Sequence, residues 1–499
     1  MKEESLLLLS DLQKLINQVV LIDYTIIILG GRIMADKFYA KGPGNNGYIK
    51  NLEVLDFNPW NGKSGVFQMQ VYKTAEGKYY LYGSCFGGTQ NGVLIADITD
   101  PEHTRFVKHL QLLDPEEYPT TSTPKIQVAD DLLICAMTAG SGPGALVEQS
   151  ELMNMKCQAG IQIWSLKEDP ENPKYLGYWD CGVPHSIGVH RFMYNGGPYV
   201  YLSCESERFE GMIMRIVDIS DPTNPHEVGN WWAPHQFVDG YPCRTVDHHA
   251  GHVPSFMDKG WMHGPPFRRD DGIMFCGYGG DGLYVLDAKD VTRPHLLGQL
   301  KFMPAFSSHL AGARTHTALP LPGRDFCVVT NEGERFQFFP EGSIKEAQAM
   351  NNIHMVDVSD PTHPTLVAEF PYPEVPEDFP YPNFNVMNLG CQGPFGPHNL
   401  HEPMSNKPWL EQRGDRVYCC YFAAGLRIYD VSDPYYIKEL AYFIPPNPNK
   451  KPEDSFFPGL PGPRNAMTED CCVDDRGYIY VTCFDDGFYV LKRTGAADN

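Results

Sequence analysis

The chain lacks the long unbroken apolar run that a membrane-spanning helix needs. Its N-terminal apolar stretch, Ser5 to Gly31, is broken by Asp11, Lys14 and Asp23, too often for a span. Lys2-Glu3-Glu4 ahead of it is not the basic start of a secretory signal. Positive charge is short too. Forty Lys and Arg against 62 Asp and Glu leave a formal charge of -22, which argues against nucleic acid or an anionic membrane as partner. There are 14 cysteines but no CxxC pair, and Cys135, Cys204, Cys276, Cys327, Cys419 and Cys483 sit inside strand-like patterns. Buried reduced thiols and a cytoplasmic protein are therefore expected. GxSxG, HExxH, P-loop and dinucleotide fingerprints are missing, so serine hydrolase, zincin and nucleotide-dependent readings lose support.

What the chain does have is one phrase, repeated. Leu94-Ile-Ala-Asp-Ile-Thr-Asp-Pro101, Arg215-Ile-Val-Asp-Ile-Ser-Asp-Pro222, Tyr284-Val-Leu-Asp-Ala-Lys-Asp290, His354-Met-Val-Asp-Val-Ser-Asp-Pro361 and Arg427-Ile-Tyr-Asp-Val-Ser-Asp-Pro434 are near-copies. Gln162 to Pro170 is a weaker copy, and Phe488 to Arg493 one that stops before its turn. Alternating apolar residues make a half-buried strand, and Asp-Pro ends it because proline cannot donate to a ladder and presets a bend. A second apolar run follows each copy and a run rich in tyrosine and cysteine precedes it, as in Tyr79-Tyr-Leu-Tyr-Gly83 and Val417-Tyr-Cys-Cys-Tyr421. With one more short strand, each unit has the four strands of a propeller blade, and seven units close a ring. The expected fold is all-β, a seven-bladed β-propeller of four-stranded blades.

These repeats resemble the LVIVD-repeat family of seven-bladed β-propellers over about Asn51 to Arg493. Arg314 to Arg324, Gly396 to Glu402 and Gly477 to Val481 share the likeness. The resemblance implies the fold and little about activity, since most members of that family carry no assigned function. The seventh unit ends without an outer strand, and Asn51-Leu-Glu-Val-Leu-Asp-Phe57 has the outer-strand pattern. It is expected to complete blade seven and lock the ring, removing two free edges. Residues 34–499 then form one propeller. Residues 1–33 are an extension, helical over Leu6 to Leu21 or disordered, with Met34 as an alternative natural start.

Aligning the units on the short strand before each tyrosine-rich run places one residue per blade at the mouth of the central channel: Gln68, Lys125, His185, His263, His316, His398 and Glu469. Four imidazoles at one level suit a transition metal, with Fe(II) favoured and Zn, Mn or Cu as alternatives. His185, His263, His316 and His398 are thus the expected metal ligands. Glu469 is expected to orient a ligand imidazole, or else to be a fifth ligand. Lys125 reads equally as a solvated channel lysine or as a group that holds a substrate carboxylate or phenolate, or serves as acid or base. Gln68 faces substrate in the same alignment.

His401 with Glu402 forms a candidate acid/base pair, Arg314 a candidate anion contact, and His190 a strand residue facing the other way. His248 and His249, with His252, lie on a long insertion and read as a flexible cap or substrate-contact loop. The insertions Pro371 to Pro397 (Tyr372, Phe379, Tyr381, Phe384) and Pro445 to Pro463 suggest an apolar lid. The layout is similar to that of the carotenoid-cleavage oxygenases, which place four histidines from a seven-bladed propeller on one iron. By that analogy the chain is an oxidoreductase or oxygenase acting on a small apolar or aromatic molecule. A Zn-type hydrolase or lyase at the same site, and a non-catalytic interaction platform, are the alternatives. Nothing in the sequence sets the oligomeric state.

Overall fold

The computed structural model describes residues 47–86, 91–139, 155–183, 186, 188–237, 261–302, 314–332, 352–377, 379, 395–448 and 466–498. The expected N-terminal extension 1–33, His185, the insertion bearing His248, His249 and His252, and most of the two lid insertions lie outside them. Among the described residues no helix is long and apolar enough to cross a membrane.

Seven antiparallel sheets make the fold, and in five of them the strands follow chain order from the axis outward, while blades six and seven end on strands from the N-terminal side of the chain. In blade one the order is Val66–Lys73, Tyr79–Cys85, Gly92–Asp97, Arg105–Leu110. The repeated phrase is the third strand of every blade, for example Ile213–Asp218 in blade three and Leu426–Asp430 in blade six. Its two aspartates have separate jobs. Asp218 accepts the Ser220 N–H at 2.7 Å, and Asp221 accepts the Thr223 N–H at 3.0 Å. The pairs Asp97 and Asp100, Asp287 and Asp290, Asp357 and Asp360, and Asp430 and Asp433 do the same. Two successive Asx turns thus carry the chain from third to outer strand, which is why Asp rather than any polar residue recurs.

The N-terminal strand closes the ring as the sequence pattern suggests. Leu52–Asn58 pairs with Phe488–Arg493 as the outer strand of blade seven, from Leu52 opposite Arg493 to Asn58 opposite Phe488. A second closure was not foreseen: Tyr48–Lys50 adds to the outer edge of blade six beside Lys438–Ile444. Asn51 joins the two strands with φ 54°, a left-handed conformation that asparagine tolerates, and its Nδ2 donates to the Leu440 carbonyl at 2.6 Å. Phe379, expected in a lid over the channel, packs instead on Tyr48 at this outer edge, 5.2 Å between ring centres.

Neighbouring blades are stitched near the axis by hydroxyls on their second strands. Ser84 donates to the Pro124 carbonyl (2.8 Å), Thr138 to Val189 (3.1 Å), Ser203 to Met262 (2.6 Å) and Thr482 to Val66 (3.5 Å), each in the next blade. The cysteines Cys135, Cys204, Cys276, Cys327, Cys419 and Cys483 are buried and free, and burial raises their thiols.

Two outcomes are expected. Deleting the chain through Asn58 bares an edge on blades six and seven, so the melting midpoint should fall and self-association appear in size-exclusion chromatography. In the turns, hydrogen bonds from the Thr362 hydroxyl and N–H hold Asp360 down to about 2, and the Asp218 carboxyl also lies below its ordinary value, the Ser220 bonds outweighing burial. Their contribution is complete above an unfolded carboxyl value of about 4 and is lost as pH falls through the lower folded values. Calorimetry should therefore show the midpoint dropping between about pH 4 and 2 from this cause.

Candidate metal centre on the propeller axis

The side chains on the axis are aimed by a local fault in the inner strands. In blade five Thr315 pairs with Asn331 and Ala318 with Val329, so His316 and Thr317 together face Thr330. Such a β-bulge re-aims a side chain without ending the strand. Blade one does the same with Phe67 and Gln68 opposite Ser84, and blade seven with Glu469 and Asp470 opposite Thr482. In blade three the inserted residue is His190, between Val189 paired with Cys204 and Arg191 paired with Ser203. The hydroxyls secure these kinks: Gln68 N–H donates to Ser84 Oγ at 2.9 Å and Thr317 N–H to Thr330 Oγ1 at 3.2 Å.

By this register the ring of residues at the mouth is Phe67, Lys125, His190, His263, His316, His398 and Glu469. Two members differ from the sequence alignment. Phe67 stands where Gln68 was expected; the Gln68 side chain turns between blades, its Oε1 accepting the Ile126 N–H at 3.1 Å. Blade three presents His190, read from sequence as facing away, at the level assigned to His185. Both displacements are one or a few residues along a strand, where a single step swaps the facing side.

The imidazoles of four consecutive blades form an arc. Ring centres are 5.0 Å apart for His190 and His263, 4.5 Å for His263 and His316, and 4.9 Å for His316 and His398. A carboxylate that sequence reasoning missed completes the group. Glu332, at the end of the second strand of blade five, lies 3.2 Å from His263 Nε2 and 3.5 Å from His398 Nε2. Two overlapping donor sets result, His190 with His263 and His316, and His316 with Glu332 and His398, each with its ligand atoms within 4.8 Å of one another. A signal for Glu332 exists: it stands two residues beyond the hydroxyl opposite the bulge. The same position holds Phe86, Glu205 and Phe484 in blades one, three and seven.

His316 belongs to both sets. It is fully buried, its Nδ1 lies 2.7 Å from Thr317 Oγ1, and its Nε2 has no hydrogen-bond partner among the described residues. Burial, then the neighbouring His263 and Arg191, push its pKa well below the ordinary imidazole range. His398 is likewise kept neutral, by burial and then by Lys125 and Arg191. Its Nδ1 is 3.2 Å from the main-chain carbonyl of Glu469 and 3.3 Å from the carboxylate of the same residue. Donation there leaves Nε2 with its lone pair toward Glu332. Burial raises the Glu469 carboxyl to about 8, opposed by Lys125, and lowers the Lys125 ammonium to about 8.

Below this ring the channel is filled and then plugged. Arg191 contacts Asn399 and, at 3.3 Å, Glu402, which takes a bond from Gln127 at 3.0 Å. Lys407 donates to Gln70 (3.0 Å) and Gln127 (2.5 Å). The segment 402–413 crosses the far end of the axis. Asn406 binds Asp130 and Asn195 in the turns of blades two and three, Ser405 binds Asp270 of blade four, Trp409 donates to Val71 of blade one, and the Glu411 N–H to Val473 of blade seven. The plug closes the end of the channel opposite the one where the inner strands begin.

His401 belongs to this plug rather than to the site. Its Nε2 bonds the Glu411 carbonyl at 2.9 Å and its Nδ1 accepts the Val473 N–H at 3.2 Å, so neither nitrogen is left to move a proton. Its partner Glu402 faces Arg191. Arg314 begins the inner strand of blade five, two residues before His316; its side chain lies outside the described part.

With the geometry in place, the family comparison is specific on one point. LVIVD repeats match at residues 212–232 and 347–371, and these contain the third strands of blades three and five. The chain is a seven-bladed β-propeller that carries LVIVD repeats in two of its blades. No curated protein matches it in sequence. Solved structures similar to it include a protein from Lactobacillus plantarum (11% identity, 84% of this chain and 97% of that one, TM-score 0.47). A periplasmic gluconolactonase of Pseudomonas aeruginosa (12%, 85% and 98%, 0.47) is another. A third is the Cps50 (Swd1) β-propeller domain of Myceliophteria thermophila (10%, 88% and 98%, 0.45). Similarity at this level does not carry an activity across.

His401→Gln should lower the melting midpoint, because the plug loses a main-chain anchor, while leaving the absorbance and metal content of the purified protein as in the parent. A change in metal content would return His401 to the site.

Proposed function

We propose that this propeller is a metal-dependent enzyme with a mononuclear centre at the open end of its axis, held by His263, His316 and His398 with Glu332. We read it as an oxidoreductase acting on a small apolar or aromatic molecule. The observation that carries the proposal is His316 Nε2, which has no partner among the described residues: a buried imidazole nitrogen left so costs free energy, and a metal ion among the surrounding donors would relieve that cost. The donor set fits. Imidazole nitrogen and carboxylate oxygen suit Fe(II), Mn or Zn, whereas Cu(I) selects softer sulfur ligands, and we favour Fe(II). A bound Fe(II) ion would supply a redox centre and a Lewis acid.

The chain's own residues prepare the place. Desolvation keeps the imidazoles neutral and available as ligands. Thr317 and Glu469 occupy the Nδ1 atoms of His316 and His398, which points both Nε2 atoms inward. The plug excludes water from one side. At the mouth, Phe67 packs against Phe86 and Phe484 (4.3 and 4.7 Å between ring centres), an apolar wall across the axis from the imidazoles. Glu469 and Lys125 flank that wall and can hold a proton at Oε1 or Nζ.

Elemental analysis of protein purified without added metal or a metal-binding tag tests the reading. Roughly one equivalent of Fe, Mn or Zn is expected, and His316→Ala should abolish it with the melting curve still cooperative. Glu469→Gln should retain the metal with affinity reduced about 10- to 100-fold, as for a residue that orients a ligand. Absence of metal, even after anaerobic reconstitution with Fe(II), would favour an interaction platform instead.

A further inference from the structure

Among the described residues three cationic side chains are buried on the axis, and two of them are answered. Arg191, 1% exposed, has the Glu402 carboxylate and the Asn399 amide oxygen. Lys407, also 1% exposed, has two glutamine oxygens. Lys125 is different. It is 2% exposed, and among the described residues its Nζ has one hydrogen bond, a long one of 3.4 Å to the Phe67 carbonyl. No carboxylate among them lies within 4.0 Å of it. An ammonium carries three donors, and leaving charged donors unanswered away from water is costly.

Its surroundings indicate what would answer it. The ammonium sits over the Phe67 ring, 4.7 Å from the centre, and Phe67 continues into Phe86 and Phe484. The mouth is two-faced as a result. Blades three to six supply imidazoles and Glu332, while blades seven and one supply phenyl rings, with Lys125 of blade two at one seam and the Glu469 carboxyl of blade seven, against His398, at the other. Phe67 and Phe86 are both half-buried, so the wall offers apolar surface to an incoming molecule.

We infer that Lys125 and the Phe67, Phe86 and Phe484 wall form a subsite for an organic monoanion with a flat apolar body, an aromatic carboxylate being the simplest example, which the subsite would hold against the imidazole arc. The ammonium takes the carboxylate by a charge-assisted hydrogen bond, and the phenyl rings take the body by stacking and burial. The inference rests on the metal-enzyme reading only for what happens to the anion once held; the subsite stands on the chain's own groups.

The test uses benzoate as probe, with benzamide as its neutral counterpart and acetate as the anion without the ring, in isothermal titration of the full chain. It is run on chelator-stripped and on Fe(II)-loaded protein, with metal content measured on each sample. Saturable benzoate binding to stripped protein, with benzamide and acetate each weaker by tenfold or more, is expected. Lys125→Met should weaken benzoate about 10- to 100-fold, and Phe67→Leu should weaken benzoate while leaving acetate unchanged. Circular dichroism melting identifies a variant that has lost its fold, and Phe67→Leu then serves alone. Benzoate that binds no better than benzamide, or equally with and without Lys125, overturns the subsite, and does so whether or not metal is present. Lys125-dependent binding in protein that never takes up metal would uphold the subsite and refute the metal reading.

Discussion

Ring closure is the constraint on which everything else in this molecule depends. Seven sheets with a free edge at each end would be a splayed stack, and the inner strands would have no common axis. Pairing Leu52–Asn58 with Phe488–Arg493 joins the two ends of the chain by main-chain hydrogen bonds, and Tyr48–Lys50 ties the same segment to blade six. Only then do inner-strand positions from different blades fall within a few ångströms of one another. Four imidazoles separated by as much as 208 residues in sequence form one arc because of a strand that is far from all of them.

Within the closed ring the channel is a place where charge is hard to keep. Burial holds the His316 and His398 rings neutral and lifts the Glu469 carboxyl to about 8. The lower part of the channel offsets the same cost with a connected network of Arg191, Glu402, Gln127, Lys407 and Gln70. At the upper level the compensation is incomplete among the described residues: His316 Nε2 has no partner and Lys125 has one long bond. This contrast between a satisfied floor and an incompletely satisfied mouth is what the proposed site rests on.

Much of the fold was legible because propeller blades repeat their chemistry. The paired aspartates of the third strand are needed for two consecutive turns, so they recur wherever the turn does, and the missing outer strand of the last unit pointed to Asn51 to Phe57. The candidate site was legible in part. His263, His316, His398, Lys125 and Glu469 occupy the level where the alignment put them. Phe67 and His190 escaped it because a bulge adds a residue to one strand only, and no periodicity in a single strand reveals which side chain the extra residue turns inward. Glu332 escaped because it lies on the second strand, opposite Arg314 and beyond the last residue paired with the third strand, whereas the alignment compared inner strands. His401 was misplaced because proximity in sequence to His398 says nothing of depth along the channel.

The class of architecture, the number of blades and the chain segment that closes them follow from local patterns of strand, turn and apolar alternation, which need no knowledge of distant contacts. Which end of the channel residues 402–413 seal, and which side chains share the level of His316, came from the three-dimensional arrangement alone. Those are matters of bulge position, strand overhang and the path of a connecting segment across five other blades. They are set by steric and hydrogen-bonding relations between residues hundreds of positions apart, to which no local pattern is sensitive.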